Sequence, residues 1–390
     1  MTTDTPVTTA LAALLVGKTT AWNGLAASDV ETLESCATHG IGPLVSRNLQ
    51  ARTDCDWPAT VRDALADLAR GAVAREALAC RELTAVLAAL ARVGVHPVLL
   101  KGAGLAYSLY EEPHLRPRCD TDMIVPRAAI DTAREALLDI GYRTQPFCEG
   151  ELLFHQLPLW KTEPFGAIHR VDLHWKISTE TVFADVLTFD TLAEAAIPVP
   201  ALGPHARTAG RIHALVLACI HTVMHHRNAE RLIWLFDIHA LATGLPPACF
   251  NRFTELAITR RVATVCAHSL TLARTRFGTA IPAAGLARLG APRDAEATSV
   301  YLRPARRWRH ELVSNLRGLT RWRDRRRLLR EVLLPAPSYM LAAYGVVRNL
   351  TRGGAASVSV PASLPPWRHQ RAARSEVTGR ANAPKRGPFG

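Results

Sequence analysis

Apolar positions in the first 90 residues recur every three to four, as in "VRDALADLARGAVAREALACRELTAVLAALARVG" (61–94). That period places them on one helix face, and the spacing predicts helices that end at Gly94. The pattern then changes. "HPVLLKG" (96–102) reads as a short buried strand, because a proline and a glycine bracket an apolar run too brief for a helix. A helix is expected from Gly104 to about Glu112, ahead of Pro113. A strand holding "DTDMIV" (120–125) follows, then a helix over "RAAIDTAREALLDIG" that closes at Gly141.

Between 151 and 177 the period becomes two. In "HRVDLHWKI", Val171, Leu173, Trp175 and Ile177 alternate with Arg170, Asp172, His174 and Lys176, which predicts one core face and one polar face. "EPFG" supplies the turn of a hairpin. Helical spacing returns from about 185 to 350, and the Gly-, Pro- and Ser-rich basic stretch 351–390 is expected to be disordered. This order predicts an α+β fold, a small mixed sheet with helices flanked by N- and C-terminal helical regions. The expected divisions are a helical region 1–92, a core 93–182, a helical region 183–350 and a tail 351–390.

With 390 residues and 48% hydrophobic content, the chain can fill two or three packed units and is too apolar to be disordered throughout. The formal charge of +13 is unevenly spread: residues after 300 carry +15 and the first 300 carry −2. A near-neutral first part argues against a basic groove tracking many phosphates, so nucleic acid is not the expected substrate. The segment 303–330 sets eleven arginines around Trp308 and Trp322. Nucleic-acid contact, a peripheral helix on anionic lipid, and a solvated face meeting an acidic partner all fit it, and the last has the highest prior. Eight scattered cysteines without a CxxC pair favour reduced thiols and a cytoplasmic protein. The N-terminal apolar run has no basic residue ahead of it and does not read as a signal peptide. "VLLPAPSYMLAAYGVV" (332–347), broken by Pro335 and Pro337, falls short of the roughly 20 residues that span a bilayer.

Three features carry chemistry. At "LLKGAGLA" a strand ends and a helix opens, so unpaired backbone N–H groups and the positive helix end can face a phosphate. Asp120 and Asp122, two positions apart, put two carboxylates on one strand face, and hard oxygens suit Mg²⁺ completed by substrate phosphate and water. Two such ions roughly 3.5–4 Å apart can stabilise the attacking and leaving oxygens of an in-line displacement. Asp172 offers a third carboxylate, as metal ligand or base. His221 and His225 share a helix face, but no HExxH and no nearby acid or cysteine completes a zinc site.

"KGAGLAYSLYEEPHLRPRCDTDMIV", followed by "RVDLHW", resembles the nucleotidyltransferase superfamily of DNA polymerase β type. Within it the resemblance is to uncharacterised bacterial nucleotidyltransferases with a pattern near KG-x-x-L-A…Y…R…D-x-D…D-x-H-W. The best-matched part is about 96–177, and "IHALVLACIHTVMHHRNAERLIWLFDIHAL" is similar to that group's C-terminal helices, extending the resemblance over about 30–350. It implies a minimal nucleotidyltransferase sheet that moves a nucleoside monophosphate from an NTP such as ATP, with pyrophosphate leaving. It makes Asp120 and Asp122 the metal pair, Asp172 the third acid, and Gly102 the glycine of the phosphate turn, with Lys101, Ala103 and Arg116 also on the nucleotide. His174, His221, Arg231 and Asp237 fall to an acceptor pocket. Two Mg²⁺ ions, replaceable by Mn²⁺, and a small-molecule or peptide hydroxyl complete the implied reaction. Ala103 stands where many members have Gly or Ser, the gap to Asp120 is long, and Thr121 replaces an apolar residue. These departures leave open a non-catalytic nucleotide- or partner-binding module.

Overall fold

The computed structural model describes residues 5–334 apart from 26, 54, 145–151, 153, 227 and 292–295. The expected tail 351–390, Cys148, and most of the apolar run 332–347 lie outside the described residues.

Four helices come first: α1 (Pro6–Leu15), α2 (Asp29–His39), α3 (Gly42–Gln50) and α4 (Ala59–Arg92). A capping box fixes the start of α2, the Ser28 hydroxyl accepting from the Glu31 N–H while the Glu31 carboxylate accepts from the Ser28 N–H. Gly40, at φ +69°, ends it in the left-handed region. The long α4 has 34 residues and extends on the order of 50 Å.

The middle of the chain holds β1 (Val98–Leu99), α5 (Lys101–Ser108), β2 (Thr121–Ile124), α6 (Ile130–Asp139), β3 (Arg143–Thr144), β4 (Gln156–Thr162) and β5 (Ile168–His174). After these come α7 (Thr181–Ala184), α8 (Phe189–Glu194), β6 (Ile197–Pro198) and β7 (Arg207–Thr208). The remaining helices are α9 (Arg211–His226), α10 (Leu232–Ala242), α11 (Pro247–Thr259), α12 (Ala263–Phe277), α13 (Ala283–Gly290), α14 (Trp308–Gly318) and α15 (Trp322–Leu333).

The strands form one sheet in the order β3-β4-β5-β2-β1-β7-β6. β2 runs parallel to β5 and β1 parallel to β7, while the other neighbours are antiparallel. This is the mixed sheet with helical flanks that the periodicity predicts. The β4–β5 hairpin turns where "EPFG" places it: the Glu163 N–H donates to the Ala167 carbonyl at 2.8 Å and Gly166 takes φ +90°. β6 and β7 are two residues each, too short to leave any period in the sequence.

Three local expectations shift. The helix after β1 starts at Lys101 and ends at Ser108, so the glycine turn is itself the first helical turn. β2 begins at Thr121, leaving Asp120 just ahead of it. The polar face of β5 is open at Arg170 but closed to water where the chemistry lies, Asp172 being 6% and His174 1% exposed.

Residues Met1–Thr144 and His155–Gly318 form one compact unit. Its core joins the N-terminal helices, β1, helices α7 to α13 and Tyr301, through residues such as Leu11, Leu100, Phe183 and Leu235. Phe183 and Tyr301 meet edge to face at 5.1 Å, and the Glu296 carboxylate accepts from the N–H groups of Ala263 and Thr264 to cap α12. Of the Arg-rich segment, Arg306 is buried in this unit, donating to Glu311 at 2.7 Å and to the Tyr301 carbonyl. The second unit comprises Gln145–Phe154 and Leu319–Gly390. There α15 buries Leu328 and Val332, exposes Trp322, and its Glu331 accepts from the Leu152 N–H. No helix among the described residues is long and apolar enough to cross a membrane.

α5 lies close on β7 because position 104 has no side chain. A Cβ there would overlap Thr208 Oγ1 and stand 3.1 Å from the Leu99 carbonyl oxygen. Gly104→Ala is therefore expected to cost about 1–3 kcal/mol in urea unfolding, and adding Thr208→Ala to recover part of it, the backbone contact remaining.

Candidate active site

The parallel pairing of β2 and β5 sets Asp122 directly beside Asp172. Period two adds His174 on the same face, and β4 brings Gln156 opposite His174. The ligand atoms of Asp122, Asp172 and His174 all lie within 4.8 Å of one another. Asp122 Oδ1 accepts from Lys101 Nζ at 2.8 Å and lies 2.7 Å from His174 Nε2. Gln156 Nε2 donates to Asp172 Oδ2 at 3.3 Å. Burial opposes ionisation of Asp122, but the Lys101 ammonium and the His174 hydrogen bond hold its carboxyl well below the usual range.

Lys101 reaches Asp122 from a strained backbone. It is the first residue of α5 and has φ +48°, which a long L side chain adopts only when its surroundings impose it. The helix start has no side-chain cap, so its N–H groups point outward as an anion cradle would require. Gly102 needs no positive φ, and a Cβ on it would make only ordinary contact, 3.4 Å from Arg118 Cβ and 3.6 Å from Arg116 Nη1. Packing thus demands glycine at 104 and leaves the bare backbone at 102 to other causes. Ala103 is buried beneath the turn.

The loop leading to β2 is gripped from two sides. Arg116 donates from Nε and Nη2 to Asp237 of α10, at 2.7–3.0 Å, and from Nη1 to the Pro117 carbonyl. Tyr110 donates to the same Asp237 at 2.6 Å. Burial alone would lower the Arg116 pKa, but Asp237 raises it further above its ordinary value. Arg118 pairs with Glu76 of α4 and lies 5.6 Å from the Tyr107 ring. Both arginines anchor the segment that carries Asp120.

Two spaces lie near the cluster, neither of them lined by Asp122, Asp172 or His174. A cavity of about 20 Å³, room for about one water, is lined by Lys101, Arg116, Thr208, His221, Trp234 and Asp237. A cleft of about 300 Å³ borders Asp120, Thr121, Arg118, Glu82, Tyr142 and His169. Asp120 is half-buried on the cleft and lies outside the Asp122, Asp172 and His174 cluster. A family model described as an uncharacterised nucleotidyltransferase matches residues 28–278, well over half of the chain.

The chain belongs to this nucleotidyltransferase family. No curated protein matches it. The matched span of this nucleotidyltransferase runs from the N-cap of α2, Ser28, to the C-cap of α12, Gly278, and so contains the whole cluster with its two clamps. Of the residues singled out in the sequence, Lys101, Asp122, Asp172 and His174 come together. His174, grouped there with an acceptor pocket, lies instead on Asp122. His221 and Asp237 line the small cavity, while Arg231 stacks on its wall residue Trp234 at 5.3 Å. The side chain of His225 is outside the described residues. Gln156, Tyr110 and Glu76 were missed; only Gln156 left a signal, as the hairpin partner of His174.

Asp237 is 3% exposed and carries the charge that balances Arg116. Asp237→Ala should destabilise the protein by about 3–5 kcal/mol, because it strands a buried guanidinium, whereas Arg116→Met with Asp237→Ala should lose much less; urea unfolding of the three variants checks this.

Proposed function

We propose that the protein transfers a nucleoside monophosphate from an NTP to a hydroxyl of a small molecule or peptide, with a divalent cation, Mg²⁺ or in its place Mn²⁺, at Asp122 and Asp172. The observation that carries this reading is the parallel register that sets the two carboxylates side by side beneath the uncapped start of α5. The donor set fits such a cation: two hard carboxylates and an imidazole with ligand atoms within 4.8 Å of one another. A bound cation would supply charge neutralisation to the phosphates and polarise the phosphorus under attack.

The chain's own groups divide the remaining work. The bare backbone at Gly102 and the N–H groups opening α5 take phosphate oxygens. Lys101, already 2.8 Å from Asp122, is placed to add a cation to the same anionic centre. Asp172, oriented by Gln156, ligates or accepts the proton of the acceptor hydroxyl. Asp120, just ahead of β2, stands on the rim of a cleft lined by Thr121, His169 and Val171. The formal charge of −2 over the first 300 residues favours a small or peptidic acceptor over a polynucleotide. The described cysteines are all free thiols, in keeping with work in the cytoplasm.

The test uses each NTP labelled at the α-phosphate, with Mg²⁺ and fractionated cell extract. Label should enter an acceptor with release of pyrophosphate, and Asp122→Asn with Asp172→Asn should lower the rate at least about a hundredfold while the thermal melt stays cooperative. Equal transfer by a folded double variant would sink the proposal.

A further inference from the structure

Arg231 stands just ahead of α10. Among the described residues its guanidinium makes no hydrogen bond or ion pair, and its Nε is buried without a partner. The acids that could serve it are engaged elsewhere: Glu230 accepts from Arg276 at 2.8 Å, and Asp237 from Arg116 and Tyr110. Its neighbours add positive charge. Burial lowers its pKa below the ordinary value; the nearby Cys119 opposes the shift, while Arg116 adds to it.

The guanidinium is nevertheless held in place. It lies over the Trp234 ring at 5.3 Å, and a Cβ at Gly40 would come 3.1 Å from its Nη2, so the absent side chain at 40 leaves it room. Gly40 also has φ +69°, so the helix end requires glycine there in any case. Trp234 and Arg116 both line the cavity beside Lys101, and Arg116 Nη1 borders the glycine turn. Arg231 is thus near enough to Arg116 for the two charges to act on each other, and of the two it is the one with no ion pair among the described residues. A half-buried cation of this kind is costly unless an anion arrives to pair with it.

We propose that Arg231 binds a phosphate group of a substrate, its planar fork presenting N–H donors to the oxyanion. The source is either the terminal phosphates of the donor nucleotide, a choice that rests on the nucleotidyl-transfer reading, or a phosphate carried by the acceptor.

Calorimetric titration of the full chain separates these. One arm uses a non-hydrolysable NTP analogue with Mg²⁺, and the other uses orthophosphate added to protein saturated with that analogue. Arg231→Gln should weaken one arm about tenfold or more, Arg231→Lys should keep part of the binding, and the melting temperature of either variant should not fall. Loss in the first arm assigns the donor phosphates; loss in the second assigns the acceptor. If the wild type ignores the analogue, orthophosphate alone is titrated: loss in Arg231→Gln then supports the phosphate site while the NTP-donor reading fails. Unchanged binding in Arg231→Gln overturns the proposal. A lower melting temperature with phosphate binding intact also overturns it, because that is the signature of a purely structural stack on Trp234.

Discussion

The carboxylate of Asp122 is a buried charge, and the centre of the fold is arranged around keeping it ionised. A carboxylate out of water is stable only when cations and donors replace its hydration, and here Lys101 and His174 both converge on Oδ1. Each partner comes from a different element. Lys101 arrives from the head of α5 and His174 from the end of β5, so the pairing of β2 with β5 and the packing of α5 on β7 must both form before Asp122 is satisfied. The site therefore reports on the assembly of the sheet as well as on its own chemistry.

The same arrangement explains where strain sits. The structure keeps the turn short and accepts a lysine at φ +48°. Gly104, three residues on, lets α5 sit against Thr208 and Leu99, which fixes the height of that turn. Glycine at 104 serves packing, whereas a Cβ at 102 would meet only ordinary contacts.

The core of this organisation was legible in the sequence because it is local and periodic. The short strand before the glycine turn, the acidic strand, the alternation through Asp172 and His174, and the hairpin turn at "EPFG" follow from rules acting over a few residues. The family likeness of "KGAGLA…DTDMIV…RVDLHW" also falls inside the matched span 28–278. What could not be read is pairing across long separations. Arg116 meets Asp237 across 121 residues and Tyr110 meets it across 127, and no spacing rule joins such partners. The burial of Asp172 was hidden for a related reason. Alternation identifies a polar face, but only the neighbouring strands and Lys101 decide whether that face meets water. The two-residue strands β6 and β7 leave no periodic trace at all.

Those long-range pairs tie the helical region to the sheet, and this bears on how a substrate could fit. The cavity between Lys101, Arg116 and Trp234 has room for about one water, far too little for a nucleoside. Its walls come from α5, β7, α9 and α10, so enlarging it would mean moving α10, and Asp237 on α10 is locked to Arg116 and Tyr110 by short, buried, charge-assisted bonds. A locked wall of that kind favours recognition by charge over insertion of a base. The larger space lies on the other side of the Asp120 segment, where α4 and the sheet leave about 300 Å³ open. The Arg116 and Arg118 clamps hold Asp120 between the two spaces.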